Sequence, residues 1–198
     1  MENQIVLVRH GQTEWSLADQ HTGRTDIPLT AVGEQEATLV GPTLAGWSFA
    51  HTFSSPLQRA RTTAVRSGLT EPITLLDDLV EWDYGIYEGL RTADIVVDEP
   101  GWSKWSDPIP DGEDVHAVGD RADRAIDLLA STAEDGPVAV FAHGHLLAIL
   151  IARWLGLSAT EGKRFVLDTA TVTVLGMKRG DRVLRLMNHR CGEGPITP

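Results

Sequence analysis

Cysteine is almost missing from this chain: the single thiol, Cys191, excludes an intramolecular disulfide and any CxxC metal site. Positive charge is scarce as well. Lys and Arg number 17 against 28 Asp and Glu, a formal net charge of -11. No basic stripe of the kind that displaces counterions from nucleic acid is present, so nucleic acid is excluded as an expected partner. Long apolar runs are lacking too. The longest, residues 146–152, falls far short of the ~20 residues that cross a bilayer, and no membrane partner is expected. The start, Met1-Glu2-Asn3-Gln4, has neither the basic segment nor the cleavage site of a signal peptide. A reducing, cytoplasmic location is the expectation.

What is present describes one packed domain. Hydrophobic residues make up 42% and charged residues 23% of 198 residues, enough apolar surface for a core without staples. Residues 4–8 read as a buried strand, short, apolar and β-branched. Residues 31–45 read as a helix capped by Thr30 and ended by Gly46. Ser55 and Pro56 read as the N-cap and first position of a helix reaching Ser67. Residues 73–76 suggest a short strand, and the acidic, aromatic stretch 77–112 reads as loop with a short helix, a lid. A helix follows over 113–133, where Val115, Val118, Ala122, Ala125, Ile126 and Leu129 recur at helical spacing. Residues 137–141 are a second buried strand and 146–155 a helix. Strands at 171–177 and 182–187 flank a Gly180 turn. This order predicts an α/β fold, a three-layer α/β/α sandwich with a mostly parallel central sheet whose ligand lies beyond the carboxyl ends of strands.

Two histidines fall at such ends. Val8-Arg9-His10-Gly11-Gln12-Thr13 follows the first strand, with Gly11 permitting a tight turn and Arg9 offering a planar fork to phosphate oxygens. Phe141-Ala142-His143-Gly144-His145 repeats the pattern of apolar strand, His and Gly later in the chain. His143 and His145 also have the spacing of a metal pair, although chelation needs a third ligand that spacing cannot supply. The remaining histidines, His21, His51, His116 and His189, read as surface or packing residues.

These motifs, with Thr22-Gly23, Ser54-Ser55-Pro56-Leu57-Gln58-Arg59-Ala60, Thr62-Thr63-Ala64, Glu81-Trp82-Asp83-Tyr84-Gly85-Ile86-Tyr87-Glu88-Gly89 and Gly112-Glu113, occur in an order that resembles the histidine phosphatase, or phosphoglycerate mutase-like, superfamily over nearly the whole length. The resemblance implies that His10 is a phosphorylated nucleophile and that Arg9, Arg59 and His143 hold the phosphoryl oxygens. It implies that Glu81 is the general acid and that Thr22 and Gly23 contact substrate. Ser16 stands where the family usually has Asn and reaches less far; Gln12 stands for the commoner Glu and removes a negative charge. His145 reads as a helix-start residue supporting the site.

The implied chemistry needs no metal and no cofactor. An imidazole nitrogen splits one displacement into two, and fixed cations replace a metal in holding the equatorial oxygens. Glu81 must carry its proton when substrate binds, and His10 must be neutral, so activity mildly below neutral pH is expected. Mutases of the family place extra basic residues after the general acid. Here residues 82–112 hold only Arg91 and Lys104 as cations, and Trp82 stands where mutases carry Arg. The reading is therefore a phosphatase of a small phosphomonoester, in the manner of the family's broad acid phosphatases and sugar phosphatases. The alternatives are a phosphoglycerate mutase and a non-catalytic phosphate-dependent binding protein. Homodimerisation occurs in related proteins and is left open.

Overall fold

A computed structural model describes residues 4–69 and 72–198. Met1–Asn3, on which the signal-peptide expectation partly rests, lie outside the described residues. In chain order the elements are β1 (Ile5–Arg9), α1 (Glu14–Leu17), α2 (Ala31–Thr43), β2 (His51–Ser54), α3 (Gln58–Arg66), β3 (Ile73–Leu75), α4 (Thr92–Asp98), α5 (Val115–Thr132), β4 (Val138–Ala142), α6 (Gly144–Trp154), β5 (Thr171–Lys178) and β6 (Asp181–Arg190). Short 3-10 turns sit at Asp77–Leu79, Gly85–Tyr87 and Ala159–Arg164.

The six strands form one sheet in the order β3-β2-β4-β1-β5-β6. β1, β2, β3 and β4 run parallel, and β5 and β6 return antiparallel as a hairpin. Alternation along β1 assigns its two faces. Ile5 and Leu7 join the core beneath α5 and α6, whereas Val6 and Val8 pack with Val40, Leu44 and Ala64 beneath α2 and α3. The result is the expected three-layer sandwich, with the mostly parallel sheet in the middle.

Local boundaries differ in instructive ways. α2 stops at Thr43 rather than running to Gly46: Pro42 occupies its last turn, and the Leu44 N–H finds several carbonyls there at once. β2 was not read as a strand. His51-Thr52-Phe53-Ser54 has little apolar character, and the strand is formed because it lies between β3 and β4. α3 starts at Gln58, with Leu57 as its N-cap and no side-chain cap, so Ser55 and Pro56 do not open it. The Ser55 hydroxyl faces His143 instead. α5 begins after Asp114, whose carboxylate accepts the N–H groups of His116 and Ala117. Among the described residues no helix is long and apolar enough to cross a membrane.

Candidate active site

Strand register builds the centre of the site. β1 pairs parallel with β4, Arg9 opposite Ala142, so the residues that follow, His10 and His143, emerge side by side with ring centroids 5.2 Å apart. Both are buried. His10 Nδ1 donates to the Gly11 carbonyl at 2.7 Å; with the proton held there, Nε2 carries the free lone pair, and His10 lines a cavity of about 300 Å³. Burial, then the charges of Arg59 and Arg9, hold the His10 pKa well below its usual 6.5, so the ring is neutral. Gly11 is required by close approach rather than by turn conformation: a Cβ there would sit 2.3 Å from the Gly33 carbonyl oxygen at the start of α2.

Behind His10 the polar groups interlock. Arg59 is fully buried; its Nε donates to His143 Nδ1 at 3.1 Å, and its Nη atoms donate to the carbonyls of Gly23, Thr25 and Thr22. His143 accepts at Nδ1, so its proton is on Nε2, donated to Ser55 Oγ at 2.8 Å. Burial and then Arg59 keep the His143 pKa well below the usual value. Arg9 lines the cavity, donates one Nη to the Leu167 carbonyl, and has a buried Nε with no partner among the described residues. Gly144 allows this placement, since a Cβ there would lie 3.1 Å from the Arg9 guanidinium carbon.

Glu81 enters from the loop after the Asp77–Leu79 turn and docks on the N-terminus of α6. Its Oε1 accepts from the N–H groups of Trp82 at 2.9 Å and Leu146 at 2.8 Å, and its Oε2 accepts from His145 N–H at 3.0 Å. Only one N–H falls on Oε2, and Glu81 lines the cavity.

The other expected contacts are less uniform. Thr22 lines the cavity, and buried Gly23 lends its carbonyl to Arg59. Ser16 also lines the cavity, but its hydroxyl closes a capping box with Thr13 at the start of α1. The Gln12 side chain turns to the Thr30 hydroxyl at 2.9 Å and does not line the cavity. His145 does open α6, and its ring bridges Tyr84 Oη and Lys104 Nζ. His143 and His145 thus have separate partners, each beside a cation, a poor setting for a shared metal ion; among the described residues no group of three ligating side chains comes together.

Three residues went unrecognised in the sequence. His21 is buried at the cavity wall, its Nε2 3.2 Å from Thr92 Oγ1, and burial followed by Lys104 pushes its pKa down to about 4. Arg121 clamps Glu113 with two donors at 2.8 and 2.9 Å and also donates to the carbonyls of Asp78, Val80 and Glu81, fixing the chain that delivers Glu81. Its place on the buried stripe of α5, three residues after Val118, was the signal. Lys163, on the Ala159–Arg164 turn, lines the cavity as Lys104 does. Of the aromatic residues in 77–112, Trp82, Tyr84, Tyr87 and Trp102 are buried as packing, and Trp105 reaches the cavity.

Known proteins are similar to this chain in sequence and fold. The model of the histidine phosphatase superfamily (branch 1) matches residues 5–190. A Mycobacterium tuberculosis acid phosphatase is 39% identical over 98% of this chain and 97% of its own. A sedoheptulose 1,7-bisphosphatase of Saccharomyces cerevisiae is 36% identical over 79% of this chain and 69% of its own. A solved open-reading-frame product from Mycobacterium tuberculosis superposes with a TM-score of 0.91 at 37% identity, covering 96% of this chain and 99% of that one. Sequence order, strand-end histidines and whole-chain similarity agree, and the chain belongs to branch 1 of the histidine phosphatase superfamily.

Proposed function

We propose that this phosphatase hydrolyses a small phosphomonoester, a sugar phosphate, through a phosphohistidine on His10 and without a metal. The observation that carries the reading is the His10 ring itself: neutral, with Nδ1 spent on the Gly11 carbonyl and Nε2 without a hydrogen-bond partner among the described residues, in a cavity that Arg9 also lines. Nε2 attacks phosphorus and the ester P–O bond breaks. Glu81 gives its proton, from Oε2, to the departing alkoxide. Water then attacks phosphorus, Glu81 takes a proton back, the P–N bond breaks and inorganic phosphate leaves.

Arg9, which lines the cavity, is assigned to the transferring group. Arg59 and His143 are assigned the remaining equatorial oxygens: their bonds to Thr22, Thr25 and Ser55 are ones for which an arriving dianion competes, and the Arg59 charge beside neutral His10 favours that dianion in any case. Thr22, Gly23, Ser16 and His145 are assigned to the substrate wall, and segment 77–112 to a lid. The polar cavity and the sugar bisphosphatase among the relatives support a sugar. The shortage of cations in 77–112 separates this reading from a mutase, and the complete catalytic set separates it from a binding protein. A cytoplasmic location, consistent with the half-buried free Cys191, completes the proposal.

The test is p-nitrophenyl phosphate hydrolysis in excess EDTA from acid to neutral pH, with His10→Ala alongside. Turnover that survives EDTA and disappears in the variant supports the reading. Activity lost to EDTA would overturn it, as would an alkaline optimum for the role of Glu81.

A further inference from the structure

Glu88 belongs to the same motif as Glu81, yet the hydrolytic steps give it no task. It is half-buried, does not line the cavity, and faces main chain. Its Oε1 accepts the Arg24 N–H at 2.7 Å and the Tyr84 N–H at 3.4 Å; its Oε2 accepts the Thr25 N–H at 3.1 Å. The Arg24 side chain turns elsewhere, its guanidinium 3.8 Å from Asp83 and 3.6 Å from Glu113. Residues 23–25 therefore hang from one carboxylate by consecutive backbone donors.

The other side of that turn belongs to Arg59. The Gly23 carbonyl shares its peptide with the Arg24 N–H, and it accepts from Arg59 Nη2 at 2.8 Å. The Thr25 carbonyl accepts from Nη1 at 3.0 Å and the Thr22 carbonyl from Nη2 at 3.3 Å. A carboxylate at one end of a peptide and a guanidinium at the other polarise it in the same sense, so each hydrogen bond strengthens the other. Gly23 makes this possible by close approach, since a Cβ there would lie 2.1 Å from Glu88 Oε1 and 2.3 Å from the Trp82 carbonyl oxygen. Burial lowers the Arg59 pKa, and Glu81, Asp26 and Glu88 oppose that fall.

A direct carboxylate partner would occupy the fork of Arg59 and neutralise it. With a peptide in between, the guanidinium rests on neutral carbonyls, which compete with an arriving dianion less strongly than a carboxylate does. The longer bonds to Thr22 and Thr25 can be exchanged for phosphate oxygens while the Gly23 carbonyl, fixed by Glu88, keeps hold. We propose that Glu88 is a positioning residue for phosphate binding, holding the Arg59 guanidinium in place through the Gly23–Arg24 peptide without neutralising it. This deepens the phosphatase reading and rests on its assignment of Arg59 to the phosphoryl oxygens.

The experiment titrates inorganic phosphate by calorimetry, and measures kcat/KM on p-nitrophenyl phosphate, for the parent, Glu88→Gln, Arg59→Lys and the double variant. In Glu88→Gln the amide keeps one acceptor and turns its NH2 toward a backbone N–H, so the turn loses its hold. The phosphate Kd should rise about tenfold, and kcat/KM should fall by a similar factor. Removing a negative charge that acts only through space would instead tighten phosphate, so an unchanged or lower Kd overturns the proposal. Added to Arg59→Lys, whose ammonium cannot reach both carbonyls as the fork does, Glu88→Gln should cost no more than about threefold further. A full tenfold loss in the double variant would overturn the proposal and make Glu88 a general support of its segment. Should Arg59→Lys fail to fold, Gly23→Ala takes its place in the cycle, because its methyl meets the same carboxylate oxygen; additive losses there overturn the proposal as well. A parent that binds phosphate but hydrolyses nothing sinks the phosphatase reading alone and leaves the cycle readable in Kd. A parent that binds no phosphate overturns both.

Discussion

The two walls of the cavity are built differently. One is made of strand ends: Arg9 and His10 line it, and His143 and Arg59, at the end of the adjacent parallel strand and on α3, are fully buried behind them. The other is made of segment 77–112, two 3-10 turns, the seven-residue α4 and connecting loops, held to the body by Arg121 and by buried Trp82 and Tyr84. Groups that must keep sub-ångström geometry stand on the sheet, where neighbouring strands fix their positions. Groups that line the cavity away from the strand ends, Lys104 and Trp105, stand on loops that can vary without disturbing the chemistry. Glu81 straddles the division, arriving on the loop and docking its carboxyl on the N-terminus of α6.

Changes on the sheet wall test this division most severely. His10→Ala should lower kcat by about 10⁴-fold or more on every substrate, because no second nucleophile shares the site; far-UV circular dichroism should remain that of the parent. Glu81→Gln comes next. The amide oxygen still accepts N–H groups while the proton for the leaving group is lost, so kcat should fall about 10²–10⁴-fold. A substrate whose leaving group is already a good one, p-nitrophenol, should suffer less than a sugar phosphate. Equal losses on both would remove Glu81 from proton transfer.

Arg121→Met moves the test to the second wall. The variant removes a buried partner from Glu113 and three backbone carbonyls, and should cost about 3 kcal/mol in urea denaturation. Its kinetic signature should be lower kcat on all substrates through a misplaced Glu81. Parent-like kcat after such destabilisation would show that the docking of Glu81 on α6 suffices without the clamp.

The same division explains what could be read from the sequence. The sheet wall was legible because its signals are local: an apolar β-branched run, then Arg9-His10-Gly11, with the same pattern at His143. The motif order also carried Arg59 and Glu81. β2 escaped because His51-Thr52-Phe53-Ser54 owes its strand to neighbours on both sides, and no local pattern records that. Ser55 looked like a helix cap, but its hydroxyl was claimed by a histidine 88 residues away. His21 carries no local mark either: a polar residue flanked by Gln20 and Thr22 reads as surface, and tertiary packing alone turns it into the cavity.

The smallest change expected of a single variant concerns protons rather than turnover. Burial, reinforced by nearby cations, holds His10, His21, His143 and His145 below 6.5 in the folded protein, His21 at about 4. In the unfolded chain each titrates near 6.5, so below that pH the unfolded state binds more protons and gains on the folded one. Their contribution is complete above about pH 6.5 and is lost as pH falls toward the folded values. Each histidine adds up to about 1.4 kcal/mol per pH unit to that decline. Urea midpoints should therefore be level near pH 8 and fall steadily below about pH 6.5. His21→Gln isolates the lid-side member: it should flatten the slope between about pH 6 and pH 4.5 by roughly one histidine's share. The steeper remainder belongs to His10, His143 and His145. If the slope is unchanged, water reaches His21 in solution, and the loop wall is looser than the sheet wall even at its inner face.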